Sequence, residues 1–335
     1  MKLELFNYNL PKELIAQEPI EPRDASRLMI VKGKTIKHKN FKDLLSYLEK
    51  DDVLVLNNTK VEPVKPLGRK ATGSPAEFII SKKLGNRKYE CQIKTNKVKI
   101  GTEFLFNKGL KAKVLGGNEG IFDVLFNKDK IEEIIQDIGE MPTPPYIKKK
   151  AKREQYQTVY AKHPGSIAAP TAGFHFTPEL LEKIKKKGVK IVKITLHVSY
   201  GTFLPVKTED IKDHHMHEEW FEISKQAAEA INKRRKRLVI VGTTSLRALE
   251  SAADDMGIVH PKECSTDLFI YPGYQFKLKP DMMLTNFHLP KSTLIMLVSA
   301  LIGRKNILHA YEKAVENKYR FYSFGDAMLL VTQAS

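Results

Sequence analysis

Three histidines fall where chemistry is easiest to place. His175 sits in Ala169-Pro170-Thr171-Ala172-Gly173-Phe174-His175-Phe176-Thr177, His197 ends the apolar run that starts at Val189, and His288 follows the run Met283–Phe287. Imidazole titrates near neutrality, so each is a candidate for moving a proton. Between the last two lies Gly242-Thr243-Thr244-Ser245-Leu246-Arg247, a glycine leaving an apolar run with hydroxyls where a helix begins. Free N–H groups at such a helix start attract a carboxylate or phosphate, with Arg247 as a nearby cation. The same threonines would serve equally as plain N-caps. No Gly-Lys-Ser/Thr follows at phosphate-loop spacing, and no Gly-x-Gly-x-x-Gly occurs, which argues against a nucleotide site of either kind. His214, His215 and His217 beside Glu218 and Glu219 raise a metal-dependent hydrolase. Their spacing fits no standard zinc signature and no cysteine supports it, so acid–base roles are preferred and no metal is expected. For any one of these histidines taken alone, a structural or surface role is the simpler reading.

These residues need elements to hold them. Val53-Leu54-Val55-Leu56 reads as a strand buried on both faces. Val189–His197, Trp220–Ile223, Leu238–Val241, Leu268–Tyr271 and Met283–Phe287 read as further strands, with helices between most of them. Thr177-Pro178 opens a helix, a hydroxyl cap before a proline at the first helical position, and Gly188 stops it. The pattern is α/β with a largely buried sheet, either open or closed into a barrel. Ligands of such sheets bind beyond the carboxyl ends of the strands, so the exits are expected to converge on one cavity holding His175, His197, Thr243 and His288.

The middle of the chain has another texture. Short strand candidates at Glu77–Ile80, Glu90–Ile93, Thr102–Phe106, Lys111–Leu115 and Ile121–Leu125 are separated by Gly/Asn turns. They predict a small all-β barrel or sandwich. Prolines at 63, 66, 142, 144 and 145 look like the necks of an insertion. The expected organisation is a discontinuous α/β domain, 1–62 plus 146–335, interrupted by a β-barrel domain, 63–145. No repeat of solenoid or propeller period occurs.

Composition narrows the partners. Of 335 residues, 56 are Lys or Arg and 39 Asp or Glu, a formal net charge of +17. That excess favours a polyanion, nucleic acid before membrane. Lys148, Lys149, Lys150, Lys152 and Arg153 form the cluster best suited to a phosphate backbone, although a solvated surface explains such runs as well. Cys91 and Cys264 are too few for a disulfide framework, so a reducing cytoplasm is expected. The longest apolar stretch, Leu294–Ile302, is about half the roughly 20 residues that cross a bilayer, and no membrane role is expected. The mixed surface shows no dimer seam, so a monomer is the default.

Taken together, Ala169–Thr177, His197–Val206, His214–Glu218, Val241-Gly242-Thr243-Thr244, Thr285–Leu294 and Tyr319–Leu329 resemble the S-adenosylmethionine:tRNA ribosyltransferase-isomerases of queuosine biosynthesis. The opening Leu10-Pro11 to Arg27-Leu28 and the turn Asn57-Asn58-Thr59-Lys60-Val61 match too, and the likeness runs in order along nearly the whole chain. Ser199 stands where the family usually has glycine, and Phe174 where leucine is common.

The resemblance implies an α/β domain interrupted by a small β-barrel. It also implies an enzyme that takes S-adenosylmethionine as a ribosyl donor, a consumed substrate and not a cofactor. The acceptor would be 7-aminomethyl-7-deazaguanine at the tRNA wobble position, and the products epoxyqueuosine-tRNA, adenine and methionine. Position and chemistry within these motifs make His175, His197, His288 and Asp326 the candidate acid–base groups. Thr171, Gly173, Thr202, Gly242, Thr243, Thr244, Arg247, Asn286, Arg320 and Gly325 are the candidate substrate-binding residues. The competing class is a non-catalytic tRNA-binding protein, which would not require so many polar residues at strand exits.

Overall fold

The structure is a computed structural model that describes residues 1–118, 120–149, 152–199, 201 and 206–332. The chain divides into two compact units, Met1–Lys60 with Pro145–Lys150 and Glu154–Ser335, and Val61–Pro144 with Ala151–Arg153.

The first unit is built on a nine-stranded open sheet. Its order is Lys262–Thr266, Glu219–Ile223, Lys190–Leu196, Val53–Asn57, Leu238–Val241, Met282–Asn286, Ala327–Val331, Arg27–Lys32 and Thr35–Asn40. From Lys190–Leu196 to Met282–Asn286 four neighbouring strands run parallel. Ala327–Val331 then runs antiparallel to Met282–Asn286 and parallel to Arg27–Lys32. The carboxyl ends of the four parallel strands and the amino ends of these two therefore share one end of the sheet. Val53–Asn57 is buried at every position. Val53 and Val55 belong to one core and Leu54 and Leu56 to the other, as the two-residue period of a strand requires.

The larger core is closed by the helices Lys225–Asn232, Thr243–Ala252, Thr293–Ile302 and Arg304–Glu316, the smaller by Pro178–Lys186 and the segment around Phe41 and Leu44. The helix starts are capped as hydroxyl residues dictate. Thr177 accepts the Leu180 N–H at 3.1 Å ahead of Pro178, Ser224 that of Ala227 at 3.2 Å, and Ser292 that of Ile295 at 3.3 Å. Each such cap is worth about 1 kcal/mol.

One expected strand is absent. Leu268–Tyr271 is irregular, and the strand lies earlier, at Lys262–Thr266, pairing with Glu219–Ile223 on the sheet's edge. The Leu268 carbonyl accepts the Arg247 Nε–H at 2.9 Å and its N–H goes to Thr266 Oγ1 at 3.1 Å, so side chains take the bonds a ladder would have used.

In the second unit Lys65–Lys70, Pro75–Gly85, Lys88–Lys94, Ile121–Phe126, Lys111–Asn118 and Glu103–Leu105 form a ring that closes on Lys65–Lys70. This is a small barrel. It is filled by Phe78, Phe104, Phe106 and Phe126, with Phe78 edge-on to Phe104 at 4.8 Å. A side chain at Gly68 would meet the Phe106 ring at 2.6 Å, so the wall approaches its filling too closely for any other residue. Among the described residues no helix is long and apolar enough to cross a membrane.

Candidate active site

The parallel strands deliver their exits to one end of the sheet, and a cleft of about 730 Å³, open solvent included, lies there. One part of its wall is Ala168–Ala172, reached from the bridge between Ala168 and Val198. The others are Gly242-Thr243-Thr244, the run Thr285–Leu289, and Tyr146, Tyr322 and Ser323.

Gly242 leaves its strand with φ at 89°, a conformation that favours glycine, and the helix Thr243–Ala252 follows at once. No side chain caps this helix, and Thr243 and Thr244 line the cleft. The first-turn N–H groups make it the natural seat for an anionic part of a ligand. Arg247, expected to assist there, does not line the cleft. It is buried and its Nη1 donates to Glu219, whose other carboxylate oxygen accepts the Ser199 N–H at 3.0 Å. The cation is spent on an internal ion pair, because a buried guanidinium needs a carboxylate beside it.

His288 is the one member of the acid–base set that lines this cleft. Its Nε2 is 2.9 Å from Thr285 Oγ1, its N–H donates to Tyr311 Oη at 2.8 Å, and its carbonyl accepts from Tyr8 Oη at 2.5 Å. Burial pushes its pKa down to about 3, so the ring is neutral at pH 7. Asn286 Nδ2 donates to the Tyr322 carbonyl at 2.9 Å, and Tyr322 is held at φ 73°, a costly conformation for a bulky residue.

His175 lies outside the cleft. It lines a smaller adjoining hollow of about 280 Å³, open solvent included, which shares Ser323 with the first. Its ring stacks on Phe41 at 4.9 Å, and Nδ1 is 2.7 Å from Ser26 Oγ. Burial lowers its pKa to about 4, partly offset by the facing Asn286 amide. Thr171 lines the cleft and Gly325 the smaller cavity. Gly173 packs under Tyr160, whose Oη would be 2.1 Å from an added Cβ.

His197 lines neither space. Its Nδ1 is 2.7 Å from Thr59 Oγ1 and its ring lies flat on Trp220 at 4.8 Å and 16°. Gly165 makes this possible, since a Cβ there would sit 2.9 Å from His197 Nε2. Burial, then the neighbouring His163, lowers the His197 pKa. Asp326 is buried and accepts the N–H groups of Arg27 at 2.9 Å and Arg320 at 2.8 Å, while burial raises its pKa. Arg320 donates from Nη2 to the Glu18 carbonyl. The expected single cavity is thus corrected to a cleft holding Thr243 and His288, an adjoining one holding His175, and a separate place for His197.

Thr202 and Lys150 lie outside the described residues. Lys148 and Lys149 are exposed, Lys149 pairing with Glu18 at 2.8 Å, and Lys152 and Arg153 are exposed too. Among the described residues no three His, Cys, Asp or Glu side chains gather as a metal set would require. Sequence reasoning passed over Tyr146, Thr285, Tyr322 and Ser323 as lining residues, and Tyr8 and Tyr311 as the brace of His288. Thr285 lies only three residues before His288, whereas the five others are brought in by distant segments and nothing in their local spacing marks them.

Three comparisons bear on this site. The family described as "Queuosine biosynthesis protein" matches residues 3–330. Proteins named S-adenosylmethionine:tRNA ribosyltransferase-isomerase are similar over 99% of this chain and 100% of their own. They come from Thermoanaerobacter sp. (strain X514), at 54% identity, and Caldanaerobacter subterraneus subsp. tengcongensis, at 52%. The crystal structure of an S-adenosylmethionine tRNA ribosyltransferase from Thermotoga maritima aligns with a TM-score of 0.54 and 38% identity, over 98% of this chain and 100% of that one. A match of this extent, on a chain whose barrel and open sheet are both in place, means that the chain belongs to the queuosine biosynthesis family.

Proposed function

We propose that this chain moves and isomerises the ribosyl unit of S-adenosylmethionine onto 7-aminomethyl-7-deazaguanine at the tRNA wobble position. Epoxyqueuosine-tRNA forms, and adenine and methionine are released. The chain is an enzyme of queuosine synthesis, and its relatives carry the matching name. S-adenosylmethionine is consumed as a substrate, with no separate cofactor. The protein works as a cytoplasmic monomer, with Lys148, Lys149, Lys150, Lys152 and Arg153 attracting the RNA backbone.

The observation that carries this reading is the cleft that joins an uncapped helix start to a neutral imidazole. The first turn at Thr243 and Thr244 receives the carboxylate of the methionine portion. The sulfonium acidifies the methylene beside it, and His288, uncharged and oriented by Thr285, accepts that proton. His175 acts through Asn286, which lines the cleft while facing His175.

The test is incubation with tRNA bearing the aminomethyl base and S-adenosylmethionine labelled either in the ribose or on the methyl group. Ribose label enters RNA with release of one adenine per transfer, and methyl label stays out. Methyl label in the RNA, or binding of both substrates without transfer of any label, would overturn the proposal in favour of a methyltransferase or a non-catalytic RNA binder.

A further inference from the structure

The smaller cavity differs from the cleft in its charged lining. It is lined by the rings of Phe174 and Phe324, which stack at 5.9 Å and 27°, together with Ile20, Arg23, Ser26 and His175. Flat aromatic walls with a few polar groups suit a heteroaromatic base drawn out of a strand.

Arg23 lines it, and Arg320 lies near enough to act on His175. The chain reaching Pro19 and Ile20 carries Gln17, whose side-chain oxygen accepts the Lys148 N–H at 3.0 Å, and Glu18, whose carboxylate pairs with Lys149 at 2.8 Å. The Glu18 carbonyl also accepts from Arg320, so Arg320 and Arg23 flank the short segment that carries Glu18 and Glu21. Among the described residues no Lys or Arg lines the larger cleft.

Between the two spaces stand His175 and Asn286, one lining each, and they face each other. His175 Nε2 and Asn286 Oδ1 are buried without a hydrogen-bond partner among the described residues. His175 is 4% exposed and Asn286 3%, and the pull of Asn286 on the His175 pKa makes each the other's polar neighbour across the partition.

We infer that the smaller cavity is the slot for the RNA nucleobase, that the larger cleft holds S-adenosylmethionine, and that the two substrates meet across Ser323, His175 and Asn286. This assignment rests on the function proposed above. The base stacks against Phe174 and Phe324, a flanking phosphate lies toward Arg23 and Arg320, and its aminomethyl arm points through the partition to the ribosyl carbon.

Binding of each substrate, measured separately on the whole chain, tests it. Ile20→Trp fills the slot, Arg23→Gln removes a border charge, and Leu289→Trp fills the cleft. Isothermal titration reads S-adenosylmethionine, and filter binding reads tRNA carrying the aminomethyl base. Expected for Ile20→Trp is tRNA affinity weakened about tenfold or more, about 1.4 kcal/mol, with S-adenosylmethionine binding within about twofold of the unchanged protein. Leu289→Trp gives the reverse pattern. Arg23→Gln weakens tRNA and flattens its salt dependence, and it carries the test should Ile20→Trp melt early. Weakened S-adenosylmethionine binding with intact tRNA affinity in Ile20→Trp and Arg23→Gln, or no effect on either ligand, overturns the assignment. Failure of the unchanged protein to bind either substrate instead overturns the underlying function, so the two failures are distinct.

Discussion

Thr285 Oγ1 and His288 Nε2 lie 2.9 Å apart at the carboxyl end of Met282–Asn286, and that bond fixes which ring nitrogen is left to meet a ligand in the cleft. His288→Gln keeps much of the size and loses the basic nitrogen. It should lower kcat about 10²-fold or more while S-adenosylmethionine affinity stays within about threefold. Thr285→Val frees the ring to rotate and should cost about tenfold in kcat. Adenine release under saturating tRNA measures both, and an unchanged kcat for His288→Gln would remove it from the chemistry.

The two buried imidazoles make stability depend on pH with a definite sign. His175 and His288 have folded pKa values of about 4 and about 3, below the ordinary 6.5. Between those values and 6.5 the unfolded chain binds more protons, so stability is complete above pH 6.5 and falls as pH drops through it. Each ring contributes a slope of up to about 1.4 kcal/mol per pH unit in that window. Urea unfolding between pH 7.5 and 5.0 should show it, and His288→Gln should remove about half.

Trp220 is the chain's only tryptophan, and His197 lies flat against it. Its fluorescence should fall on acidification with a midpoint below 6.5, the direction in which burial moves His197. A fluorescence titration reads this directly, and His197→Gln should abolish the step. A midpoint above 6.5 would contradict the stacked, desolvated geometry.

The Arg247–Glu219 pair is buried, at 5% and 2% side-chain exposure. Arg247→Met removes the guanidinium from beside the buried carboxylate and should destabilise the fold by about 3–5 kcal/mol. Combining it with Glu219→Gln should recover a large part of that loss. Denaturant unfolding of the two variants checks it, and equal destabilisation by both would show that the pairing itself is not the source.

How much of this could be read from residues alone depends on where the signal is local. Val53–Leu56 announces its strand because burial on both faces demands an unbroken apolar run, and Thr177-Pro178 announces its helix because cap chemistry is contained in the sequence. Lys262–Thr266 is polar because it sits on an edge, whereas Leu268–Tyr271 is apolar because Ile270 and its neighbours pack on the core without joining the ladder. Hydropathy therefore favours the wrong one of the two. The site behaves likewise. Thr243 and His288 follow strands that lie side by side, while Tyr146 and Tyr322 reach the same cleft from segments whose spacing says nothing of it.

The sheet joins Arg27–Lys32 to Ala327–Val331, and the first turn of the chain to the loop before that last strand through the Phe321 N–H on the Leu14 carbonyl at 2.8 Å. On the ribosome the early hairpin Arg27–Asn40 must wait, one edge open, until almost everything after it has been translated. Such long-range closure is slow. Arrest or truncation before residue 327 should leave that hairpin exposed to chaperones and proteases, with no partly working enzyme formed on the way.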